Sequence, residues 1–253
     1  AIYITIDKDV LRADAAATGP ARRWHTPDLF GHGERPDWPE RRHSELSVEA
    51  DGLLASLPFA PEQGFHLVGH SYGGAVALQL ALQQPRRVLS LTLYEPVAFG
   101  LLAAQGPGEP GWQEISGVAA TLGAALDRGD DFAAARGFCA YWQGRDVWPE
   151  LDVGQQLRIA DAMPTVRRHF EALFAAQWTG HQLATLRMPV HLLCGSTTRT
   201  SARRAVETLA ARLPRARLQR LNGAGHMAPI TAAGPVNALI LQSLAGLPQA
   251  AAA

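Results

Sequence analysis

Gly69-His70-Ser71-Tyr72-Gly73-Gly74 constrains the folding of this chain more than any other stretch. It stands between a short apolar run at 65–68 and a longer one at 73–84, apolar nearly all round until Pro85 stops it. The first reads as a strand and the second as a buried helix. A G-x-S-x-G pattern at such a junction folds as a sharp strand–turn–helix, where side chains in place of the glycines would clash. The serine is then held in a strained conformation with its hydroxyl at the helix N-terminus. There the free N–H groups and the positive end of the helix favour an anion. With 24 glycines and nine serines in 253 residues, chance yields this pattern in well under one such chain. Ser71 is therefore the candidate nucleophile.

Around that junction short apolar runs alternate with helix-like stretches. Strands are predicted at 2–6, 23–26, 65–68, 88–94, 190–194 and 216–221. Ser47 is placed to cap a helix carrying Ala50, Leu53, Leu54 and Leu57 on one face, and 202–213 and 236–244 read as amphipathic helices. This alternation predicts an α/β fold, a mostly parallel central sheet flanked by helices. The 253 residues suffice for one large domain or a domain with an insertion. The insertion is predicted at 96–187, between the strands at 88–94 and 190–194, leaving 1–95 and 188–253 as the core. It contains no strand pattern but four helical stretches, near 112–127, 130–143, 150–162 and 165–177. Ten of the 18 aromatic residues lie there. Such a segment is expected as a helical cap, or lid, over the carboxyl edge of the sheet. Its aromatics either line a ligand cavity or pack the insertion's own small core.

Composition removes several function classes. The 23 basic residues balance the 23 acidic ones, which argues against a nucleic-acid partner and against a polybasic membrane anchor. No apolar run reaches the length of a membrane span, and residues 1–8 lack the apolar region of a secretory signal. Cys139 and Cys194 are too few for a disulfide framework and read as two small buried hydrophobes. A soluble, reducing, cytoplasmic setting is the expectation. The last residues, 249–253, read as a frayed tail. There is no ligand cluster at metal spacing, no G-x-G-x-x-G and no phosphate-binding loop, so neither a metal nor an organic cofactor is expected. The oligomeric state is left open.

A serine hydroxyl attacks poorly unless a base takes its proton. Of nine histidines, only His226 both follows the last strand and lies in a small-residue loop, Gly223-Ala224-Gly225-His226-Met227-Ala228-Pro229. His25, His66 and His191 fall in strands, His32 in a turn, and His43, His169 and His181 in helix or loop. His226 is the candidate base, in the chain order serine, acid, histidine.

At this point the residues resemble the alpha/beta-hydrolase family, from about 23 to 247. Residues 67–74 and 223–227 are similar to its nucleophile and histidine motifs, and Pro27-Asp28-Leu29-Phe30-Gly31-His32-Gly33 to the loop after its fourth strand. The resemblance implies an aspartate three residues after Gly195, where this chain has Thr198, which cannot supply a charge. Some members take their acid from the end of the strand after the nucleophile helix, as in one branch of the haloalkane dehalogenases. That position is Glu95, in Leu93-Tyr94-Glu95-Pro96. A dyad without an acid, or a carboxylate from the insertion, is the alternative.

The resemblance also implies an oxyanion hole with one donor from the backbone N–H of Tyr72. The other donor belongs to a loop after the family's third strand, and no such strand and loop are visible between Ile6 and Arg23. The central strand, its loop and the following helix are therefore expected to be missing, a shortfall of roughly 25–35 residues against the family. Omission of residues near Thr18–Arg23 is favoured over a shortened fold, because losing a central strand exposes two sheet edges. The resemblance implies a serine hydrolase cleaving an ester or related acyl bond of a small, largely apolar substrate through an acyl-enzyme. The alternatives are acyl transfer, carbon–carbon bond hydrolysis or cofactor-free perhydrolysis by the same residues, and a non-catalytic binding protein. No nucleic acid or membrane enters any of them.

Overall fold

A computed structural model of the chain describes residues 2–6, 23–39, 44–58, 60–245 and 247. Among these residues six strands form one all-parallel sheet: β1 (Ile2–Ile6), β2 (Arg23–His25), β3 (Phe65–His70), β4 (Val88–Tyr94), β5 (Val190–Gly195) and β6 (Ala216–Leu221). Their order across the sheet is β2-β1-β3-β4-β5-β6. From β1 the chain winds outward to β2, then returns and winds the other way through β4, β5 and β6. The winding therefore reverses between β1 and β3. In open parallel sheets, ligands bind outside the carboxyl ends of the strands at such a reversal. Ser71 is the first residue after β3.

This order corrects the expectation of a missing central strand. Ile2–Ile6 lies between β2 and β3 and is hydrogen-bonded in register to both, Ile4 opposite His25 on one side and Leu67 on the other. The central position is filled by the first strand of the chain. A parallel neighbour needs a crossover of a dozen or more residues, and the sixteen at 7–22 satisfy that length. Residues 7–22, where no oxyanion loop is visible in the sequence, His43 and the tail at 249–253 lie outside the described residues.

Helix α1 (Leu46–Ala55) packs against α2 (Ser71–Gln83) on the sheet. Ser47 does not cap α1. Glu45 occupies the cap position with extended backbone, and the Ser47 hydroxyl, already inside the helix, donates to the Glu45 carboxylate at 3.1 Å. On α2, Ala75, Val76, Ala77, Leu78, Leu80 and Ala81 are all fully buried, as an apolar helix against a sheet must be.

Between β4 and β5 the chain forms α3 (Gly100–Ala103), α4 (Pro110–Asp127), α5 (Asp131–Gln143), a 3₁₀ turn (Trp148–Glu150), α6 (Val153–Asp161), α7 (Met163–Ala175) and α8 (Gly180–Ala184). Asp130 and Asp152 cap α5 and α6 with their carboxylates, and Glu109 caps α4 through the Trp112 N–H. Helices α9 (Thr200–Ala210), α10 (Ala228–Thr231) and α11 (Ala233–Leu244) complete the chain. Both cysteines are free thiols; Cys194 is buried, and Cys139 is only half-buried. Among the described residues no helix is long and apolar enough to cross a membrane.

The turn after β3 permits no side chain at Gly69. A Cβ there would stand 2.7 Å from the Gly73 carbonyl oxygen and 2.8 Å from Gly74 Cα, both backbone atoms. Gly69→Ala is expected to cost about 1–3 kcal/mol, lowering Tm by roughly 2–10 °C. Gly117→Ala, at an exposed site inside α4 with nothing within 4 Å of the new carbon, should instead stabilise by about 0.5–1 kcal/mol. Thermal unfolding of both variants tests the contrast in sign.

Candidate active site

Each of the four strands β3 to β6 delivers a site residue just beyond its carboxyl end. Ser71 follows β3, Glu95 follows β4, Thr198 lies three residues past β5, and His226 lies five past β6. The register explains why the first two are level. His70 pairs with Tyr94, so Ser71 and Glu95 are the next residues on adjacent strands. Both adopt left-handed backbone, with φ of 52° and 43°, and among the described residues no other non-glycine has positive φ. For side chains other than glycine this region is strained, and such strain clusters at functional sites. At Glu95 the alternative right-handed helical conformation is itself disfavoured by Pro96.

These turns bring three side chains together. His226 Nε2 lies 2.9 Å from Ser71 Oγ, and His226 Nδ1 lies 2.7 Å from Glu95 Oε2. A carboxylate can only accept, so Nδ1 carries the hydrogen and Nε2 presents its lone pair to the serine. Glu95 and His226 are buried. Glu95 also accepts from the Gly195 N–H at 2.7 Å and from the Thr198 hydroxyl at 2.7 Å. Burial pushes the Glu95 carboxyl up, but the hydrogen bond and charge of His226, with the Thr198 and Gly195 donors, outweigh it and hold the group below its ordinary range. The threonine at the position where the resemblance implies an aspartate thus supplies a donor to the carboxylate on the neighbouring strand.

The histidine loop is held carbonyl by carbonyl. The Ala224 oxygen accepts from the Thr197 N–H at 2.9 Å and the Thr197 hydroxyl at 2.8 Å. Gly225 accepts from the Tyr94 hydroxyl at 2.8 Å, and His226 from His70 Nε2 at 2.9 Å. Loop groups that would otherwise be satisfied by water are fixed to β3, β4 and the loop after β5. Close packing adds to this: a Cβ on Gly195 would stand 2.2 Å from the Ala224 oxygen. Sequence reasoning missed His70 and Tyr94 in this role. His70 sits inside the serine motif, but nothing local reveals that it reaches residue 226.

Tyr72, whose N–H is the candidate oxyanion donor, starts α2 beside Ser71. Its ring stacks on His169 of α7 at 3.7 Å and 11°, and its hydroxyl donates to Glu49 Oε2 at 3.4 Å. Glu49 is buried, accepts from the Phe30 N–H at 3.0 Å and stands 3.5 Å from Arg35. Burial pushes its carboxyl up to about 7 despite these three partners. Burial likewise drives the His169 imidazole well below its usual range, with His32 adding to the effect. Among the aromatics of 96–187, Trp142 stacks on His226, while Trp112 and Phe170 each pack against Phe174. Among the described residues no cluster of three His, Cys, Asp or Glu side chains is arranged to hold a metal. Chemically, a hydroxyl, an imidazole and a carboxylate in this chain of contacts can remove a proton, hold it and return it.

The Glu49 carboxyl makes stability depend on pH. Its folded value near 7 exceeds the ordinary 4.5, so the folded state holds the proton more tightly. The penalty is absent below about pH 4.5, grows as pH rises to about 7 and is constant above, reaching about 3 kcal/mol. In Glu49→Gln that slope should vanish. Urea unfolding at pH 5 and pH 8 should show the variant gaining relative to wild type by up to about 3 kcal/mol at the higher pH.

Known proteins share this architecture. The family model described as alpha/beta hydrolase fold matches residues 7–233. A dihydrolipoyllysine-residue acetyltransferase component of an acetoin cleaving system, from Cupriavidus necator, is 41% identical over 73 residues. That match covers 29% of this chain and 19% of the relative, so the chain spans about a fifth of that protein's length. A pimeloyl-[acyl-carrier protein] methyl ester esterase from Aromatoleum aromaticum is 31% identical over 214 residues, covering 81% of this chain and 80% of the relative. The crystal structure of an alpha/beta-hydrolase enzyme from a Medee basin deep-sea metagenome library superposes with a TM-score of 0.78 at 14% identity, over 98% of this chain and 90% of that one. With the family model spanning most of its length, the chain belongs to the alpha/beta-hydrolase family.

Proposed function

We propose that the protein is a serine hydrolase that cleaves an ester or related acyl bond of a small, largely apolar molecule. The observation that carries this reading is the unbroken contact chain Ser71 Oγ–His226 Nε2 and His226 Nδ1–Glu95 Oε2, at 2.9 and 2.7 Å. Similarity to a methyl ester esterase over most of both chains supports an ester in particular.

In this mechanism Ser71 Oγ attacks the carbonyl carbon while its proton passes to His226 Nε2. Glu95 holds the imidazole in the required tautomer and stabilises its charged form without taking the proton itself. The oxyanion gains the Tyr72 N–H at the start of α2, where the helix dipole also favours negative charge. His226 then protonates the departing oxygen as the carbonyl re-forms, leaving the acyl group on Ser71. A water enters, gives its proton to His226 and attacks the ester, and the proton returns to Ser71 as the acid departs. Residues 96–187 act as a cap on a core formed by 1–95 and 188–253. The cap lays Trp142 on His226 and His169 on Tyr72, so it excludes water from two sides of the reacting groups.

Hydrolysis of a short p-nitrophenyl ester and labelling by a fluorophosphonate test the assignment. Ser71→Ala should lose labelling and lower kcat by about 10⁴-fold or more. Glu95→Gln should lower kcat by about 10²–10⁴-fold, whereas Thr198→Val, which removes one donor to the carboxylate, should lower it only about threefold to thirtyfold. Absence of a covalent adduct at Ser71 in folded wild-type protein sinks the hydrolase reading. A Glu95→Gln variant with wild-type kcat sinks the acid.

A further inference from the structure

Two aromatic rings lie against the His226 ring. The Trp142 indole is stacked on it, with ring centroids 3.8 Å apart and planes 25° from each other. His70 also lies against the ring, tilted by 45° at 4.8 Å. Trp142 comes from the last turn of α5, and that turn is fastened to the start of α9. The Arg199 side chain donates to the carbonyls of Tyr141 and Ala140, and the Tyr141 and Ser201 hydroxyls lie 2.6 Å apart. The Ser201 N–H in turn donates to Glu114 of α4 at 2.7 Å. Gly144, at φ 78°, then ends α5. Trp142 itself is buried. The indole is thus placed by the fold, and its position follows from contacts that involve neither Ser71 nor Glu95.

An aromatic face carries the negative side of the ring quadrupole and attracts a cation more than a neutral group, most strongly for tryptophan and where water is excluded. His226 alternates between those two states during the reaction proposed above. We propose that Trp142 is a positioning residue for that reaction: its π face stabilises the imidazolium formed when Ser71 is deprotonated. This inference rests on the serine-hydrolase reading. The proton leaves Ser71 Oγ as the bond to the carbonyl carbon forms, His226 carries one positive charge through the tetrahedral intermediate, and that charge is discharged onto the departing oxygen. An interaction stronger with the charged ring lowers the barrier to forming the intermediate and raises the basicity of His226.

Other ionisable groups also face this histidine. Glu95 binds Nδ1 from the end of β4, and His70 lies against the ring from the end of β3. Tyr94 contacts the His70 ring, and burial keeps its phenol protonated. Arg199 lines, with Trp142, Thr198 and His226, a cleft of about 390 Å³. None of these side chains is itself replaced in a Trp142 variant, so a change in the titration of His226 reports on the indole.

The sign of that change separates an electrostatic role from simple cover. A residue that only excludes water disfavours the imidazolium, so its loss moves the His226 pKa up. Loss of a cation–π contact moves it down. Trp142→Leu keeps apolar bulk and removes the ring; Trp142→Phe keeps a ring. In Trp142→Leu the His226 pKa should fall by about half a unit to one and a half units, with kcat down about threefold to thirtyfold. In Trp142→Phe both changes should be smaller. The pKa is read from an NMR titration of ¹⁵N-histidine-labelled protein, with His226 identified by its loss in His226→Asn, and from the acidic limb of the kcat/KM profile. Circular dichroism checks folding, and Trp142→Met replaces the leucine variant if that one is unfolded. A His226 pKa that is unchanged or raised in the folded aliphatic variant overturns the proposal. Failure of wild-type Ser71 to react with a fluorophosphonate overturns the hydrolase reading instead, and the NMR titration is independent of that outcome.

Discussion

Two neighbouring strands of this sheet end in left-handed backbone, and the rest of the site is arranged around that constraint. At Ser71 and Glu95 the chain leaves β3 and β4 at φ of 52° and 43°. A residue continuing either strand in extended form would place its side chain on a face of the sheet. The left-handed turn holds it at the carboxyl edge instead. Strain of this kind costs of order 1–3 kcal/mol at each position and persists only where the surroundings over-determine it. Here they do: Gly69 and Gly74 let α2 approach the strand and Pro96 closely, and the Glu95 N–H is fixed to the Leu193 carbonyl at 2.9 Å.

The two buried glutamates near Ser71 show how partners decide the state of a carboxyl in a dry site. Glu95 has a histidine, a hydroxyl and a backbone N–H directed at its two oxygens, at 2.7 Å each, and its carboxyl is held low. Glu49 also has three partners, but at 3.0 to 3.5 Å, and burial dominates. The difference lies in contact length more than in number, since charge-assisted bonds strengthen steeply at short range. The chain therefore holds a carboxyl kept charged against His226 and another, against Tyr72, that titrates near pH 7.

Local chemistry was easiest to read from the sequence. The strand–turn–helix around Ser71 is encoded by glycines and an apolar helix, and the strands at 88–94 and 216–221 match β4 and β6 end to end. His226 stood out because a loop after the last strand of a parallel sheet returns to the carboxyl edge. What the sequence concealed is long-range order. Nothing in Ile2–Ile6 says that it pairs with both β2 and β3, so the central strand looked absent when it was merely first. Ser47 has a favourable capping side chain, yet the cap stands two residues earlier, at Glu45, and the helix buries Leu46 and Glu49. Thr198 looked like a vacancy because its partner, Glu95, is 103 residues away. The placement of Trp142 over His226 depends on how α5 docks on α9, which no periodicity records.

The position of β6 has a consequence for how the protein fails. Among the described residues it is an edge strand, paired to β5 alone, and each of its residues is half-buried or exposed. Ser71 and Glu95 follow the interior strands β3 and β4, whereas His226 follows β6. Edge segments with few buried contacts open at lower free energy than the core. At the His226 loop such opening is resisted by hydrogen bonds to His70 of β3, Tyr94 of β4 and Thr197 after β5. The contact between His226 and Ser71 therefore depends on tethers that couple the margin of the sheet to its interior strands.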